Sequence, residues 1–176
     1  MKKIVTVIIV VLSVLCGTNT AKAVDLSFSY GGFTAMDAMS YYQDDWGGVN
    51  TSWGAVTASI YFPVVKKFSL GASYTFSSAT TKGGKDASHL YYHTILFNGK
   101  YDYYRTGKLV LYGHLGLGVE ITNFNPRFSD DYTKAYFGWQ VSPLGVKGQL
   151  TNNFSLFAEL GFGCQGLIQA GVNFTF

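Results

Sequence analysis

The sequence predicts an all-β chain folded as an eight-stranded antiparallel up-and-down transmembrane β-barrel. Three observations carry that prediction. Apolar and polar residues alternate with a period of two in stretch after stretch. Charged residues make up 13% of the chain, about half the roughly 25% of a soluble domain, so much of the surface is expected not to face water. The connections between alternating stretches run short and long by turns.

The N-terminal pattern leads us to expect the chain outside the cytoplasm. Lys2 and Lys3 precede an apolar run, Ile4 to Cys16, and Gly17 to Ala23 supply the small residues of an A-x-A cleavage site. This is the three-part pattern of a secretory signal peptide. The run is shorter than the roughly 20 apolar residues a membrane-spanning helix needs, and the bulky Leu15 before Cys16 makes a poor lipoprotein site. Residues 1–23 are therefore expected to be removed and residues 24–176 to form the barrel domain.

Removal changes the balance of the chain. The formal charge of +3 comes from 13 basic and 10 acidic residues, and Lys2, Lys3 and Lys22 leave with the leader. The mature chain is then neutral, which gives no argument for a nucleic-acid partner. Cys16 leaves too, so Cys164 stands alone and cannot form an intramolecular disulfide. No further apolar run is long enough for a helix to cross a bilayer, and a closed barrel is the other structure that satisfies its backbone in lipid.

The strands follow in order. Leu26, Phe28 and Tyr30 alternate with Asp25, Ser27 and Ser29 in the first, read as 24–36. Subsequent strands are expected at 52–63, 67–79, 88–103, 108–121, 133–149, 153–163 and 166–176, compatible with the roughly 9–11 residues a tilted membrane strand requires. The third shows the pattern plainly, with Phe68, Leu70, Ala72, Tyr74 and Phe76 opposed to Ser69, Gly71, Ser73 and Thr75. In the fifth, Leu109, Leu111, Leu115, Leu117 and Val119 oppose Tyr112, His114, Gly116, Gly118 and Glu120. In the sixth, the apolar phase slips by one residue at Ser142-Pro143, where a proline without an N–H predicts a bulge.

Connections at 64–67, 105–108 and 150–153 are short; those at 37–51, 80–87 and 122–132 are longer, with Gly163 to Gln165 a clipped exception. Short turns on one side and long loops on the other are the outer-membrane arrangement. A soluble ligand barrel of lipocalin type would alternate in the same way with its apolar face inward. The polar face argues against it, being mainly Ser, Thr, Gly, Asn and Gln, which suits a narrow filled interior. Phe62, Phe68, Tyr103, Phe154 and Phe176 fall beside the short turns or the chain end, where an interfacial girdle belongs.

In this architecture, and in its last strand, the chain resembles the small eight-stranded outer-membrane barrels of OmpX type and the related OmpA transmembrane domain. Members of that family end in a signal of the form polar, any, Gly, any, any, apolar, any, aromatic, matched here by Gln169, Gly171, Phe174 and Phe176. Phe157 to Gly163 is similar to their seventh strand with an inward Glu. The resemblance implies location in the outer membrane of a Gram-negative bacterium and assembly there as a monomer. Its implied partners are outer-membrane lipids, periplasmic chaperones and the barrel-assembly machinery that reads the terminal signal. The family shares a scaffold and not one activity.

By phase, the inward polar set comprises Lys100, Asp102, His114, Glu120, Gln140, Lys147 and Glu159. Buried charges on facing strands must pair, since an unpaired one costs several kcal/mol, so an interior polar network filling the lumen is expected. A proton relay or catalytic pair is the rival reading. His89 and His93 lie four apart, about 13 Å along a strand at roughly 3.3 Å per residue, so they cannot share a metal ion. No G-x-S-x-G, metal-spaced Cys pair or phosphate loop occurs.

Neither a cofactor nor a catalytic residue is therefore expected. The favoured function is that of a non-catalytic envelope protein, structural or adhesive through its extracellular loops. Tyr41, Tyr42, Asp44, Asp45 and Trp46 mix acidic and aromatic character in the long loop and are the candidates for contact with an extracellular ligand. They fit a solvated rim with interfacial anchors equally well. A lipid-modifying enzyme of the lipid A deacylase type, which needs His and Ser adjacent on the lipid face, and a small diffusion pore are the alternatives.

Overall fold

A computed structural model describes residues 24–39, 48–82, 88–125 and 132–176. The proposed leader 1–23 and the loop residues Tyr41, Tyr42, Asp44, Asp45 and Trp46 lie outside the described residues. The strands are β1 (Asp25–Gly32), β2 (Ala55–Val65), β3 (Phe68–Thr80), β4 (His89–Thr106), β5 (Leu109–Asn125), β6 (Tyr132–Gln149), β7 (Phe154–Gly163) and β8 (Ile168–Thr175). Each pairs antiparallel with its sequence neighbours, and β8 pairs with β1, from Asp25↔Thr175 to Gly32↔Ile168, closing the barrel. Beyond the ladder, Val24 and Phe176 exchange backbone hydrogen bonds of 2.9 and 3.0 Å. Closure leaves no sheet edge exposed.

Alternation sorts the side chains onto two surfaces. Outward positions carry Phe28, Val56, Ile95, Phe97, Leu115, Leu117, Phe137, Leu144, Leu160 and Ile168, all exposed. The charged residues of the strands are Asp25, Lys100, Asp102, Arg105, Glu120, Lys134, Lys147 and Glu159. Every one of them shares the inward phase, as the register with Tyr61, Ser69, Tyr112, Val110, Thr94, Thr122, Phe157 and Gln169 shows. No described strand places a charge on the outer wall.

At Pro143 the pairing jumps, with His114↔Ser142 followed by Tyr112↔Gly145 on one side and Val141↔Phe162 followed by Leu144↔Leu160 on the other. Strand β6 thus carries one extra residue against both neighbours, which turns the phase so that Gln140 and Ser142 on one side and Gly145 and Lys147 on the other all face inward. The bulge expected from the phase slip is there. Its carbonyl accepts a 3.3 Å hydrogen bond from the Tyr103 hydroxyl.

The wall is uneven in height. Strands β4, β5 and β6 have 18, 17 and 18 residues, whereas β7, β8 and β1 have 10, 8 and 8. The first strand stops at Gly32 instead of running to 36, because Phe33 takes a left-handed φ of 52° and the chain turns in toward the lumen. A short helix follows, α1 (Ala35–Ala38), which the alternation did not predict. The Asp37 carboxylate starts it by accepting from Thr34 N (2.8 Å) and Thr34 Oγ1 (3.0 Å). The same carboxylate holds the return segment by accepting from Ser52 N (2.6 Å) and Ser52 Oγ (3.0 Å). Ala35 and Met36 then pack against Val49, Ala79, Leu90, Tyr92 and Cys164, with Phe124 and Tyr136 at the margin. Burying Met36 contributes roughly 1.5–3 kcal/mol.

Candidate functional site

The lumen is where the inward polar residues meet. It is layered along the barrel axis, from the end carrying the short turns to the end carrying the long loops. Nearest the turns, Lys147 Nζ lies 3.1 Å from Asp25 Oδ2, and Thr175 Oγ1 donates to Asp25 Oδ1 at 2.6 Å. Beside them Arg105 pairs with Asp102 at 2.6 Å. Lys100 takes no carboxylate within ion-pair distance among the described residues. Its ammonium sits 4.1 Å from the Tyr61 ring centroid and 4.5 Å from that of Tyr112, with the Phe157 ring at 5.7 Å. The faces of those rings supply the negative potential a carboxylate otherwise would.

One layer further in, Glu159 from β7 is the hub. It accepts hydrogen bonds from Tyr112 (2.8 Å) and Gln169 (3.4 Å) and meets His114 Nδ1 at 3.0 Å. The other imidazole nitrogen faces Asn98 Oδ1 at 3.0 Å, and Ser29 donates to Gln169 at 3.1 Å. His114, Glu159, Asn98 and Gln169 are all buried. A carboxylate so surrounded is satisfied on both oxygens, which is what makes a charge tolerable there.

The next layer is a crossbar. The β7–β8 connection folds into the lumen, with Cys164 and Gln165 buried. Gln165 Nε2 reaches Ser73 on the opposite wall at 2.9 Å, while Gln140 Oε1 accepts from Gln165 N at 3.0 Å. Gln140 Nε2 donates to Ser142 Oγ at 3.1 Å and Gly166 O at 3.2 Å. This inward fold needs Gly163 and Gly166, whose φ values of 144° and 109° L side chains rarely adopt. Above it, Cys164 Sγ donates to Glu120 at 3.3 Å and Thr122 donates to the same carboxylate at 3.2 Å. The apolar cap of α1 closes the loop end.

All seven inward residues expected from phase thus stand in the lumen, but they do not make one network. Lys147 and Lys100 belong to the turn end, His114 and Glu159 to the central hub, Gln140 to the crossbar and Glu120 to the layer under the cap, while Asp102 pairs locally with Arg105. Sequence reasoning did not single out Asn98, Tyr112 or Ser73 as site residues, although the alternation already turned each inward. Gln165 carried no such signal, because it lies in a turn.

Of the terminal residues, Gln169 and Gly171 face the lumen and Phe174 and Phe176 face outward. Gly171 leaves no room for a side chain, since a Cβ there would run into the Phe28 carbonyl and Ser29. Phe174 packs on Phe154 at 5.2 Å between centroids. The remaining histidines stand on the outer wall toward the loop end, where His93 Nδ1 is 2.7 Å from the Tyr74 hydroxyl and His89 stacks on Tyr91. Trp53 and Tyr30 continue this aromatic zone, with Trp53 Nε1 donating to Ser78 at 2.9 Å and the Tyr30 hydroxyl donating to the Trp53 carbonyl. Among the described residues no group of His, Cys, Asp or Glu is placed to hold a metal ion.

By its closed ring of eight antiparallel strands, an outer wall that carries no charge among the described strand residues and its filled interior, the chain has the fold of the small outer-membrane β-barrels. No family model matches it, and no curated protein does. Solved structures do. The N-terminal β-barrel domain of Pseudomonas aeruginosa OprF superimposes with a TM-score of 0.51 at 15% identity, covering 88% of this chain and 98% of that one. Ail, the attachment invasion locus protein of Yersinia pestis, solved in complex with the heparin analogue sucrose octasulfate, gives 0.49 at 11% identity, covering 88% and 94%.

Proposed function

We propose that this chain is a non-catalytic integral protein of the bacterial outer membrane that acts through its surface and loops and conducts nothing through its lumen. The observation that supports it is the division of charge: every charged residue of the described strands faces inward, and the outer wall between the rims is apolar and aromatic. Such a wall is stable against lipid and aggregates in water. The lumen argues against a pore, since the Glu159 hub and the Gln165 crossbar occupy it at successive heights.

The partners that fit are lipids around the wall, an extracellular ligand at the loop end, and chaperones and assembly machinery that deliver a monomer after removal of residues 1–23. Gln169, Gly171, Phe174 and Phe176 would be read by that machinery. Refolded into lipid vesicles, the protein is expected to migrate anomalously on a gel unless boiled, and planar bilayers to show no steady porin-sized conductance. A large stable open state would overturn the closed lumen; failure to insert would overturn the membrane reading. Phe176→Ser is expected to impair refolding in vitro only slightly but to leave unfolded protein in the periplasm of expressing cells.

The rival, a lipid-modifying enzyme, would need a nucleophile beside an outer-wall histidine. His93, the better placed of the two, spends Nδ1 on Tyr74. Incubation of the purified barrel with lipid A and phospholipid, followed by mass spectrometry of the lipids, separates the readings: released fatty acid would establish the enzyme.

A further inference from the structure

The turn end of the lumen opens into a cavity of about 450 Å³. Its walls carry Lys66, Lys100, Arg105, Lys108 and Lys147 against only Asp25 and Asp102. Both carboxylates are already taken, Asp25 by Lys147 and Thr175, Asp102 by Arg105. Glu159, the carboxylate behind the inner wall, is held by His114, Tyr112 and Gln169. Lys66 and Lys108 at the rim and Lys100 at the floor make no ion pair with a carboxylate among the described residues.

Lys100 is the unusual member. Its ammonium is positioned over the rings of Tyr61 and Tyr112 and makes no ion pair with an acid among the described residues, so it is held in place at the floor of the cavity, facing a ligand that enters from the mouth. Ser69, Ser155 and Asn152 line the same cavity and add neutral donors. A pocket with low-dielectric walls and one sign of charge in excess concentrates the field inside it. Three ammonium groups with hydroxyl and amide donors line this one cavity, and such donors are the kind that the oxygens of a tetrahedral dianion take.

We propose that this turn-end cavity is a binding site for phosphate, either inorganic phosphate or the phosphate of a small monoester, with Lys100 as its floor and Lys66 and Lys108 as its rim. The site goes beyond the non-catalytic membrane reading and depends only on the barrel fold.

The test uses the refolded full barrel in a maltoside detergent at low salt, titrated with inorganic phosphate and separately with glycerol 3-phosphate, and read by calorimetry and by amide shifts at Lys100 and Ser155. Saturable one-to-one binding is expected. Lys100→Gln should weaken it by about tenfold, as loss of a charge-assisted contact does, and so should the rim double variant Lys66→Gln with Lys108→Gln, which leaves the interior untouched. Lys134→Gln, far away at the loop end, should leave binding unchanged. Tighter binding of glycerol 3-phosphate would name the monoester, and tighter binding of phosphate the free ion. The proposal falls if neither anion saturates, or if Lys134→Gln weakens binding as much as the rim variant does, since the attraction would then be diffuse charge only.

Discussion

The two ends of the lumen solve the same problem in opposite ways. At the turn end all eight strands are present, the wall is complete, and the space inside is a cavity lined by lysines, aspartates and hydroxyls. At the loop end β7, β8 and β1 have already stopped while β4, β5 and β6 continue, so the inner face of the tall wall has no strand opposite it. Leu90, Tyr92 and Phe124 would stand bare there; instead α1 and Val49 cover them. The height of the wall decides the chemistry of the fill. Where strands surround the space, polar side chains reach across and pair. Where they do not, only a folded-in segment closes it, and the cheapest contact it can make is apolar.

The hub between the two ends is where the largest effect is expected. Glu159→Leu leaves His114, Tyr112 and Gln169 without their acceptor and should destabilise the barrel by about 3–5 kcal/mol, read from urea unfolding in micelles. A change under about 1 kcal/mol would mean that the central layer merely fills space.

The cap is next. Met36→Ala should loosen it by about 2–3 kcal/mol, toward the low side of core truncations because a single-turn helix can settle. Amide protection should fall at residues 35–39 while the global unfolding midpoint moves little. Equal losses in both would show that cap and barrel are one cooperative unit, and the contrast between the ends would lose its meaning.

A smaller effect is expected at Gly166, whose φ of 109° and contact with the backbone of Gly31 and Gly32 exclude a Cβ without strain. Gly166→Ala should cost about 1–3 kcal/mol and shift the Gln165 side-chain amide resonance, because the crossbar must move off Ser73. An unshifted resonance would show that the tip of β7–β8 is not held by that glycine.

The smallest is expected at the mouth. Asp25→Asn removes the charge facing Lys147 but keeps an oxygen that can accept from Thr175, and the pair lines a cavity open at the mouth, so the loss should stay near or below about 1 kcal/mol and shrink with added salt. A loss as large as that of Glu159→Leu would mean that the turn end is as dry as the hub.

How much of this could be read beforehand depends on which forces were local. Alternation in Phe68–Phe76 and Leu109–Ile121 shows its face assignment directly, because a period of two leaves each side chain only two directions. That is why the inward positions of Lys100, His114, Glu120, Gln140 and Glu159 followed from counting, and why the slip at Pro143 disclosed the bulge. The same counting carried β1 four residues too far. Gly31, Gly32, Phe33 and Thr34 keep no alternation strong enough to mark a stop, and the turn at Phe33 exists because Leu167 N donates to the carbonyls of Gly32 and Phe33 across the barrel seam.

The amino-acid sequence by itself determined the number of strands, the face on which each side chain stands and the segregation of charge from the outer wall, since all three follow from periodicity and composition along one strand at a time. Only the tertiary structure decided who meets whom. That Lys100 rests on Tyr61 and Tyr112, that Gln165 crosses to Ser73 and that Met36 covers Leu90 depend on shear, wall height and the inward fold of two connections. Those are properties of the closed ring, in which residues far apart in the chain, such as Gln165 and Ser73, are brought within a hydrogen bond of each other.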